Sequence, residues 1–218
     1  MRVLVIAAQK GGVGKTTLAA HLAVEAEAQG LGPVAMVDLD PQGSLAGWWN
    51  SREAETPLYV TPTLANLPKH LEELAAAGIA LVVIDTPPAI VDSIRTAVEV
   101  ADFVLIPSRP SPLDLKAIGP TIEIVEAVGK PMAFVVNSAT PNARLTYQTG
   151  MALAEHGKVS PSVVHNRVDF ATAMIDGRTV GELDPKGKSA GEVRTLFEYV
   201  NKQLRKSAPA QTRKRATV

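Results

Sequence analysis

The sequence contains no cysteine, few aromatic residues and no long apolar run. The absence of cysteine among 218 residues excludes a disulfide scaffold, an iron–sulfur cluster, a thiolate zinc site and a cysteine nucleophile. It also fits a reducing compartment, so we expect a cytoplasmic protein. No apolar run approaches the roughly 18 residues of a transmembrane helix. The first residues, MRVLVIAAQKGG, turn to glycine and charge too early for a secretory signal.

A net charge is also absent, since 22 basic and 22 acidic side chains cancel. With 46% hydrophobic and 20% charged residues, the chain is neither disordered nor fibrous, and its length fits one domain with a buried core. The charge is uneven, because residues 186–218 hold nine basic and two acidic side chains, a balance of +7. Such a basic end predicts contact with phosphate groups or anionic lipid, although a solvated helix has the same composition.

Short apolar runs alternate with longer segments of helical periodicity. The apolar runs, which predict strands buried on both faces, are Val3–Ala8, Pro33–Leu39, Ile79–Asp85, Phe103–Pro107 and Met132–Asn137. The predicted helices are Thr16–Ala28, Thr63–Ala77, Ile90–Val100, Leu113–Val128, Arg144–His156 and Ala190–Lys206. This order predicts an α/β fold, a doubly wound, mostly parallel sheet with helices on both faces. We expect a single domain over residues 1–206 and a disordered basic tail over residues 207–218.

A glycine-rich loop follows the first predicted strand. It comprises Gln9, Lys10, Gly11, Gly12, Val13, Gly14, Lys15, Thr16 and Thr17. A strand-to-helix turn of this kind directs backbone N–H groups and a helix N-terminus at one point, which suits a phosphate. Lys15 can neutralise the β- and γ-phosphates, and the Thr16 hydroxyl can bind Mg²⁺. The loop therefore predicts a P-loop NTPase, although Gln9 stands where the usual P-loop has glycine.

Three aspartates close two further buried strands. Asp38 and Asp40 end the second predicted strand, and Asp85 ends the third. Because the carboxyl ends of the strands line the ligand crevice of a doubly wound sheet, we expect these carboxylates beside the P-loop. Mg²⁺ keeps part of its water shell, so an aspartate there can hold it through water. The chain turns after Asp38, which predicts a division of roles between metal waters and the attacking water.

Three motifs resemble those of the ParA/MinD family of deviant Walker A ATPases, which position plasmids, chromosomes, septa and other cargo. Lys10–Thr17, Val37–Gln42 and Val83–Pro88 are similar to its Walker A, Walker A′ and Walker B motifs. The segments that resemble the C-terminal pattern of ParA-type partition proteins are Asn166–Phe170, Thr179–Val180, Asp184–Lys186 and Lys188–Glu192. The resemblance covers nearly the whole chain, and it is strongest to the short kind without an N-terminal helix-turn-helix domain.

The resemblance implies an enzyme that hydrolyses ATP to ADP and phosphate as a dimer. Lys10 would reach across an ATP-dependent homodimer to the partner's phosphates, while Lys15 would bind the β- and γ-phosphates of its own subunit. Asp40 would position the attacking water, which makes Lys10, Lys15 and Asp40 the expected catalytic residues. A cation supplied by the partner makes hydrolysis depend on dimerisation, because catalysis of phosphoryl transfer is mostly positioning and charge stabilisation.

The same resemblance implies sites for ATP and Mg²⁺. Thr16 would bind the metal, and Asp38 and Asp85 would act on it through bound water. Asn137, at the end of the fifth predicted strand, is a candidate hydrogen-bond partner for adenine, although a polar residue there also fits a turn. The expected ATP-binding residues are Lys10, Gly11, Gly12, Val13, Gly14, Lys15, Thr16, Thr17 and Asn137.

Two further features carry alternative interpretations. The prolines of Pro107–Pro112 stiffen the loop after the fourth predicted strand. That loop is either a rigid connection or, by resemblance to small plasmid-partition ATPases, a loop facing a dimer partner beside the nucleotide. The pair Trp48–Trp49 lies in a short helical segment, where packing is the favoured role and a partner contact is the alternative.

The basic end also has competing interpretations. Non-specific DNA binding needs several cations on one face and no base-reading element, whereas a membrane-targeting helix needs an exposed apolar face. The apolar stripe of Ala190–Lys206 has a width typical of a helix packed on a sheet, so DNA is favoured over a membrane. The basic residues are Lys186, Lys188, Arg194, Lys202, Arg205, Lys206, Arg213, Lys214 and Arg215.

The leading hypothesis is therefore a partition ATPase associated with nucleoid DNA, whose hydrolysis is stimulated by a separate adaptor of ParB-like role. The alternatives are a MinD-like membrane-associated positioning ATPase and a metabolic P-loop ligase of the dethiobiotin synthetase type. The KGGVGK sequence around Lys10 and the DPQ sequence at Asp40–Gln42 argue against the ligase.

Overall fold

The centre of the protein is a sheet of six parallel strands. A computed structural model describes residues 1–207, and its strands are β1 (Arg2–Ile6), β2 (Val34–Asp38), β3 (Leu58–Val60), β4 (Leu81–Asp85), β5 (Phe103–Ser108) and β6 (Met132–Val136). Their order across the sheet is β3-β2-β4-β1-β5-β6, and every neighbouring pair is parallel. The tail predicted for residues 207–218 lies outside the described residues, apart from Ser207.

Helices form the crossovers that parallel strands require, and further helices follow β6. They are α1 (Lys15–Ala28), α2 (Ser44–Asn50), α3 (Leu67–Ala76), α4 (Val91–Glu99), α5 (Pro112–Lys116), α6 (Gly119–Val128), α7 (Arg144–Ala154), α8 (Val168–Met174), α9 (Val180–Leu183) and α10 (Lys188–Lys206), with a 3₁₀ turn at Leu64–Asn66. Within residues 1–207, none of these helices has the length and apolar character needed to cross a membrane.

The two faces of the sheet are buried under different helices. In β1, Leu4 and Ile6 pack on the side of α1 and α10, while Val3 and Val5 pack on the side of α3, α4 and α6. All four side chains are buried. A strand enclosed on both faces can be apolar at every position, which explains the unbroken apolar runs of the sequence. The doubly wound α/β fold is thus confirmed, and all the described strands are parallel.

Some elements differ from the sequence prediction. The single helix predicted over residues 113–128 is divided into α5 and α6, because Pro120 has no N–H to donate and occupies the first turn of α6. The prediction omits β3, an edge strand of three residues that is only partly buried. It also omits the short helices α8 and α9. The helix at the C-terminal end begins two residues earlier than predicted, at Lys188.

Helix α2 is tied to the C-terminal half of the chain. Trp48 is buried, and its Nε1 donates to the Arg178 carbonyl at 3.2 Å, which agrees with the favoured packing role. The Arg52 guanidinium donates to the Gly177 carbonyl at 2.8 Å and to the Glu182 carboxylate at 2.6 and 3.0 Å. Because α2 follows the turn after β2, this tether fixes the position of that turn.

Replacing Gly177 with alanine tests the tether. Gly177 has a φ of +75°, and an added Cβ would overlap the Arg52 backbone. We expect Gly177→Ala to lower the free energy of unfolding by about 2 kcal/mol or more, since left-handed strain alone costs about 1 kcal/mol and the overlap adds to it. Urea unfolding without nucleotide measures the loss.

The matched control is Gly47→Ala. Gly47 lies inside α2, and no atom lies within 4 Å of an added Cβ there. This substitution should be neutral or should stabilise the protein by up to about 1 kcal/mol, because alanine favours a helix more than glycine does. Equal effects of the two substitutions would contradict the tether.

Candidate nucleotide-binding site

The predicted site residues meet at the carboxyl edge of the sheet. The P-loop joins β1 to α1, and Asp38 and Asp85 end the neighbouring strands β2 and β4, where they are paired in register. Asp85 is also paired with Ile6, the last residue of β1. The structure therefore brings the glycine-rich loop and both strand-terminal aspartates together, as the parallel topology requires.

The P-loop turns into α1 at Gly14. Its φ is +90°, and a Cβ at this position would overlap the side-chain amide of Asn137. The Asn137 Nδ2 donates to the Val13 carbonyl at 2.7 Å, which holds the loop against the end of β6. Helix α1 then begins at Lys15 without a side-chain cap or an acidic residue in its first turn. Its first N–H groups are therefore available to an anion such as a phosphate.

A cavity of about 240 Å³ opens beside Gly14, on the side of the loop away from the aspartates. Thr17, Asn137, Phe170 and Met174 contribute to its walls. The position and the mixed polar and aromatic lining fit a nucleoside next to bound phosphates. The Asn137 amide keeps a second N–H hydrogen and its oxygen for other partners, and its predicted contact with adenine stays a prediction.

Lys15 is enclosed at the base of the phosphate site. Only 6% of its surface is exposed, and its Nζ donates to the Lys10 carbonyl at 3.3 Å. Burial lowers the pKa of Lys15, and the charges of Asp85 and Asp40 partly offset this effect. A buried ammonium group that a backbone carbonyl satisfies only in part is suited to receive the oxygens of a phosphate.

The residues around Asp85 fit a magnesium ion. The Thr16 hydroxyl donates to Asp85 Oδ2 at 2.6 Å, and the buried Oδ1 has no hydrogen-bond partner among the described residues. Burial raises the pKa of Asp85 to about 7, although the Thr16 hydrogen bond acts in the opposite direction. Mg²⁺ prefers carboxylate and hydroxyl oxygens, and it would stabilise the charge of both Asp85 and the phosphates.

Asp38 and Asp40 differ in their surroundings. Asp38 is buried, and its carboxylate accepts hydrogen bonds from the backbone N–H groups of Asp40 at 2.9 Å and Ala46 at 3.3 Å. Burial raises the pKa of Asp38. Asp40 is less buried and lines the cleft between the turn after β2 and β3. Asp38 lines the same cleft and also orders the turn, and the division of roles predicted for Asp38 and Asp40 stays a prediction.

Tyr59 of β3 is a polar residue that the sequence prediction missed. It lines the same cleft as Asp38 and Asp40, and its hydroxyl is buried without a hydrogen-bond partner among residues 1–207. Burial and the nearby Asp38 carboxylate raise the pKa of Tyr59 to about 12. The hydroxyl thus remains a hydrogen-bond donor at neutral pH. Its strand is too short and too exposed to be recognised from an apolar pattern.

The Lys10 side chain is paired with Asp114. Asp114 is the second residue, after Tyr59, that sequence reasoning missed. The Lys10 Nζ lies 3.0 Å from Asp114 Oδ2, and the side chains of Lys10 and Asp114 are 28% and 2% exposed. The Arg109 Nε donates to the other carboxylate oxygen at 3.0 Å. Burial alone would raise the pKa of Asp114, but hydrogen bonds from Arg109 and Lys10 bring it below the ordinary value. One buried carboxylate therefore holds two cations at the rim of the phosphate site.

The proline-rich loop explains how Asp114 reaches this position. Pro112 begins α5 and places Asp114 in the first turn of that helix, where a carboxylate is favourable. Arg109 lies in the same loop. The structure thus gives the loop a definite role in placing Asp114 and Arg109, and its predicted contact with a dimer partner stays a prediction.

The chain is similar to known proteins in sequence and in fold. Residues 4–180 match the family model of the CobQ/CobB/MinD/ParA nucleotide binding domain. The chain is 33% identical over 198 residues to maintenance of carboxysome distribution protein A of Halothiobacillus neapolitanus, which covers 87% of this chain and 91% of that protein. It is 30% identical over 207 residues to protein ParA of Rhizobium radiobacter, which covers 88% and 91%.

A solved structure extends the comparison to the fold. The septum site-determining protein MinD complexed with Mg-ADP, from Pyrococcus horikoshii OT3, superposes with a TM-score of 0.77 and 16% identity. The match covers 95% of this chain and 98% of that chain. At this identity the likeness concerns the fold alone.

Replacing Asp85 with asparagine tests the buried charge. The pKa of the Asp85 carboxyl group is about 7 in the folded chain, well above its ordinary value of 3.8, which applies to the unfolded chain. Folding therefore favours its protonated form, so the charge costs stability progressively as pH rises from about 4 to about 7 and fully above pH 7. Without ligands, Asp85→Asn should gain about 2 to 4 kcal/mol in free energy of unfolding at pH 8.

This gain should disappear near pH 4, and denaturant unfolding at several pH values measures it. Added Mg²⁺ and ATP should reverse the order of stability, because the variant loses a carboxylate that acts on the metal. A variant no more stable than the wild type at pH 8 would contradict the raised pKa of Asp85.

Proposed function

The chain belongs to the CobQ/CobB/MinD/ParA nucleotide-binding family, and we propose that it positions a cargo by cycling between a single chain and an ATP-bound, DNA-associated dimer. It is an ATPase of the ParA/MinD type and uses ATP and Mg²⁺. Proteins of this type form ATP-dependent dimers and act with adaptor proteins. The particular dimer contacts, the DNA surface and the cargo proposed below go beyond family membership.

The observation that carries the proposal is that the two lysines of one short loop have different surroundings. Lys15 is buried at its own phosphate site, whereas Lys10 is partly exposed and paired with Asp114 at the rim. A phosphate site within one subunit already has its cation in Lys15. Lys10 is therefore a second cation that can serve the phosphates of a partner subunit.

The pairing around Asp114 allows Lys10 to leave. If Lys10 were the only partner of Asp114, its departure would strand a carboxylate that is 2% exposed, which is strongly unfavourable. Arg109 also bonds this carboxylate, so a neutralising cation remains behind. Dimerisation can then move Lys10 to the partner's triphosphate and make hydrolysis a timer for the dimer.

The outer face of α10 supports DNA as the surface that the dimer binds. Its cations are exposed, whereas its apolar stripe is buried against α1 and the sheet, so the stripe does not offer a membrane-inserting face. Lys130 and Lys158 extend the basic surface, since they line one cleft with Lys206. The exposed cations of α10 are Lys188, Arg194, Lys202, Arg205 and Lys206.

The two named relatives suggest the kind of cargo. One carries the name maintenance of carboxysome distribution protein A, and another is called ParA. We propose a large cytoplasmic cargo, a protein microcompartment or a DNA molecule, that is connected to the nucleoid-bound dimer through an adaptor of ParB-like role. The alternative of a membrane-associated positioning ATPase is tested by the DNA-binding experiment below.

Removing the Lys10 ammonium tests the shared site. Lys10→Ala should bind ATP nearly as well as the wild type, because Lys15 remains, and should hydrolyse it about 100-fold more slowly. Asp114 keeps Arg109 as a partner, so the variant should fold. Lys116→Ala, which removes an exposed lysine of α5, is the control and should retain the wild-type rate. A Lys10→Ala protein that hydrolyses ATP at the wild-type rate would refute the proposal.

Salt-dependent DNA binding tests the basic cleft. The double variant Lys158→Ala, Lys206→Ala should bind unrelated duplex DNA more weakly in the ATP state. Its plot of log affinity against log salt should be shallower by about 2, since each phosphate contact contributes about 0.9 to the slope. Lys69→Ala is the control, because Lys69 is exposed on α3 and its ion pair is with Glu73 of the same helix.

An unchanged slope in the double variant would remove this cleft from the DNA surface. If the wild type binds vesicles of anionic lipid tightly and does not bind DNA at low salt, the membrane-associated alternative replaces the DNA proposal.

A further inference from the structure

One wall of the nucleoside cavity is a segment that has little regular structure of its own. This rim segment, residues 160–167, runs beside the end of β6 and leads into α8. Backbone hydrogen bonds connect it to the sheet, among them Val164 N to Val136 O at 3.0 Å and Asn166 N to Ala139 O at 2.9 Å. Its last four residues line the cavity beside the P-loop. A bound nucleoside therefore contacts the rim segment.

Glu192 of α10 connects to this segment at three residues. Its carboxylate accepts hydrogen bonds from the His165 backbone N–H at 2.9 Å and from Arg167 Nη2 at 2.8 Å. The His165 ring Nδ1 lies 2.8 Å from the same carboxylate. The Glu192 carbonyl accepts a hydrogen bond from the Ser162 hydroxyl at 2.8 Å.

The Glu192 carboxylate is largely buried and bonded to other groups of the protein. Its side chain is 15% exposed. Burial alone would raise the pKa of Glu192, but the hydrogen bonds from Arg167 and His165 bring it below the ordinary value. A carboxylate that is ionised, enclosed and bonded by several donors holds its partners firmly, because breaking such a network leaves buried charge without partners.

The basic turn of α10, residues 188–194, carries two of the five cations of this helix that are proposed to contact DNA. Lys188 lies one turn before Glu192 and is exposed, and Arg194 lies two residues after it with 46% of its side chain exposed. The Arg194 guanidinium donates to the Pro185 carbonyl at 3.1 Å, outside the helix. The inner side of this turn therefore contacts the nucleoside wall. The outer side carries the exposed Lys188 ammonium group and the Arg194 guanidinium, whose Nε lies 3.7 Å from the buried Glu25 carboxylate.

We propose that Glu192 is a positioning residue that couples occupancy of the nucleoside cavity to the placement of the basic turn of α10, and so makes DNA affinity depend on whether a nucleotide is bound. This inference rests on the proposed DNA-binding function. Coupling of this kind is reciprocal, so DNA must also change nucleotide affinity by the same factor. A residue that only stabilises the fold would change both affinities without changing their dependence on each other.

The variant Glu192→Gln tests the coupling, because it keeps the size of the side chain and removes the charge that holds Arg167. The measured quantity is the ratio of the duplex DNA affinity with ATP to the duplex DNA affinity without nucleotide. We expect the wild-type ratio to lie between about 5 and 150 and the variant ratio to be at least about threefold lower, because the proposed dimerisation with ATP still contributes to DNA affinity in the variant. ATP affinity in the absence of DNA should change less than about threefold.

The matched control is Glu198→Gln, which removes an exposed carboxylate from the same helix and should keep the wild-type ratio. A wild-type ratio in Glu192→Gln would overturn the inference. Should that variant fail to fold, Ser162→Ala takes its place, since it removes only the hydrogen bond to the Glu192 carbonyl. Ser162→Ala should lower the ratio at least about twofold, and an unchanged ratio would likewise overturn the inference.

Hydrogen exchange separates this inference from the proposed function. If the wild type has no DNA affinity in either state, the DNA proposal fails, and the coupling is judged by nucleotide alone. ATP should then change the amide protection of residues 160–167 and 188–194 together in the wild type, and only that of residues 160–167 in Glu192→Gln. A basic turn that does not respond to ATP in the wild type would overturn the inference.

Discussion

The nucleotide-binding edge of the sheet depends on one constraint, which is the burial of two charged side chains. Lys15 and Asp85 are 6% and 1% exposed, and burial moves their pKa values in opposite directions, each against its charged form. The described part of the chain does not fully compensate either charge, since one Asp85 oxygen has no hydrogen-bond partner there. A divalent metal with a triphosphate supplies both missing charges at once. The edge of the sheet is thus arranged for that ligand at a cost in stability to the chain without it.

The other elements place and regulate this charge. The Arg52–Glu182 tether fixes the turn after β2 from the opposite half of the chain. The Asp114 carboxylate holds Lys10 at the rim, where Lys10 is close to the phosphate site without forming part of its buried base. Lys10 is the more exposed of the two lysines of the loop, and it is the one that we propose serves a second subunit. Glu192 connects the opposite wall of the same site to the basic helix.

The parts of the fold that follow local rules could be predicted from the sequence, and the parts that depend on contacts distant in sequence could not. Buried parallel strands are apolar at every position, so β1, β2, β4, β5 and β6 were recognisable, and the topology then requires Asp38 and Asp85 to meet the P-loop. Strand β3 has three residues and an exposed edge, which gives too short a pattern. The ion pair of Lys10 and Asp114 joins residues 104 positions apart, and no sequence periodicity predicts such a pair. The proline-rich loop was noticed, but only the structure relates Pro112 to the position of Asp114.

Mixing two inactive variants tests most directly the claim that Lys10 of one subunit completes the ATP site of the other. Lys10→Ala retains Asp40, and Asp40→Ala retains Lys10, so each mixed dimer contains one complete site. An equal mixture should recover roughly a quarter of the wild-type hydrolysis rate, because half of the random dimers are mixed and one of their two sites is complete. The shared site would be contradicted if the mixture stayed as inactive as its components.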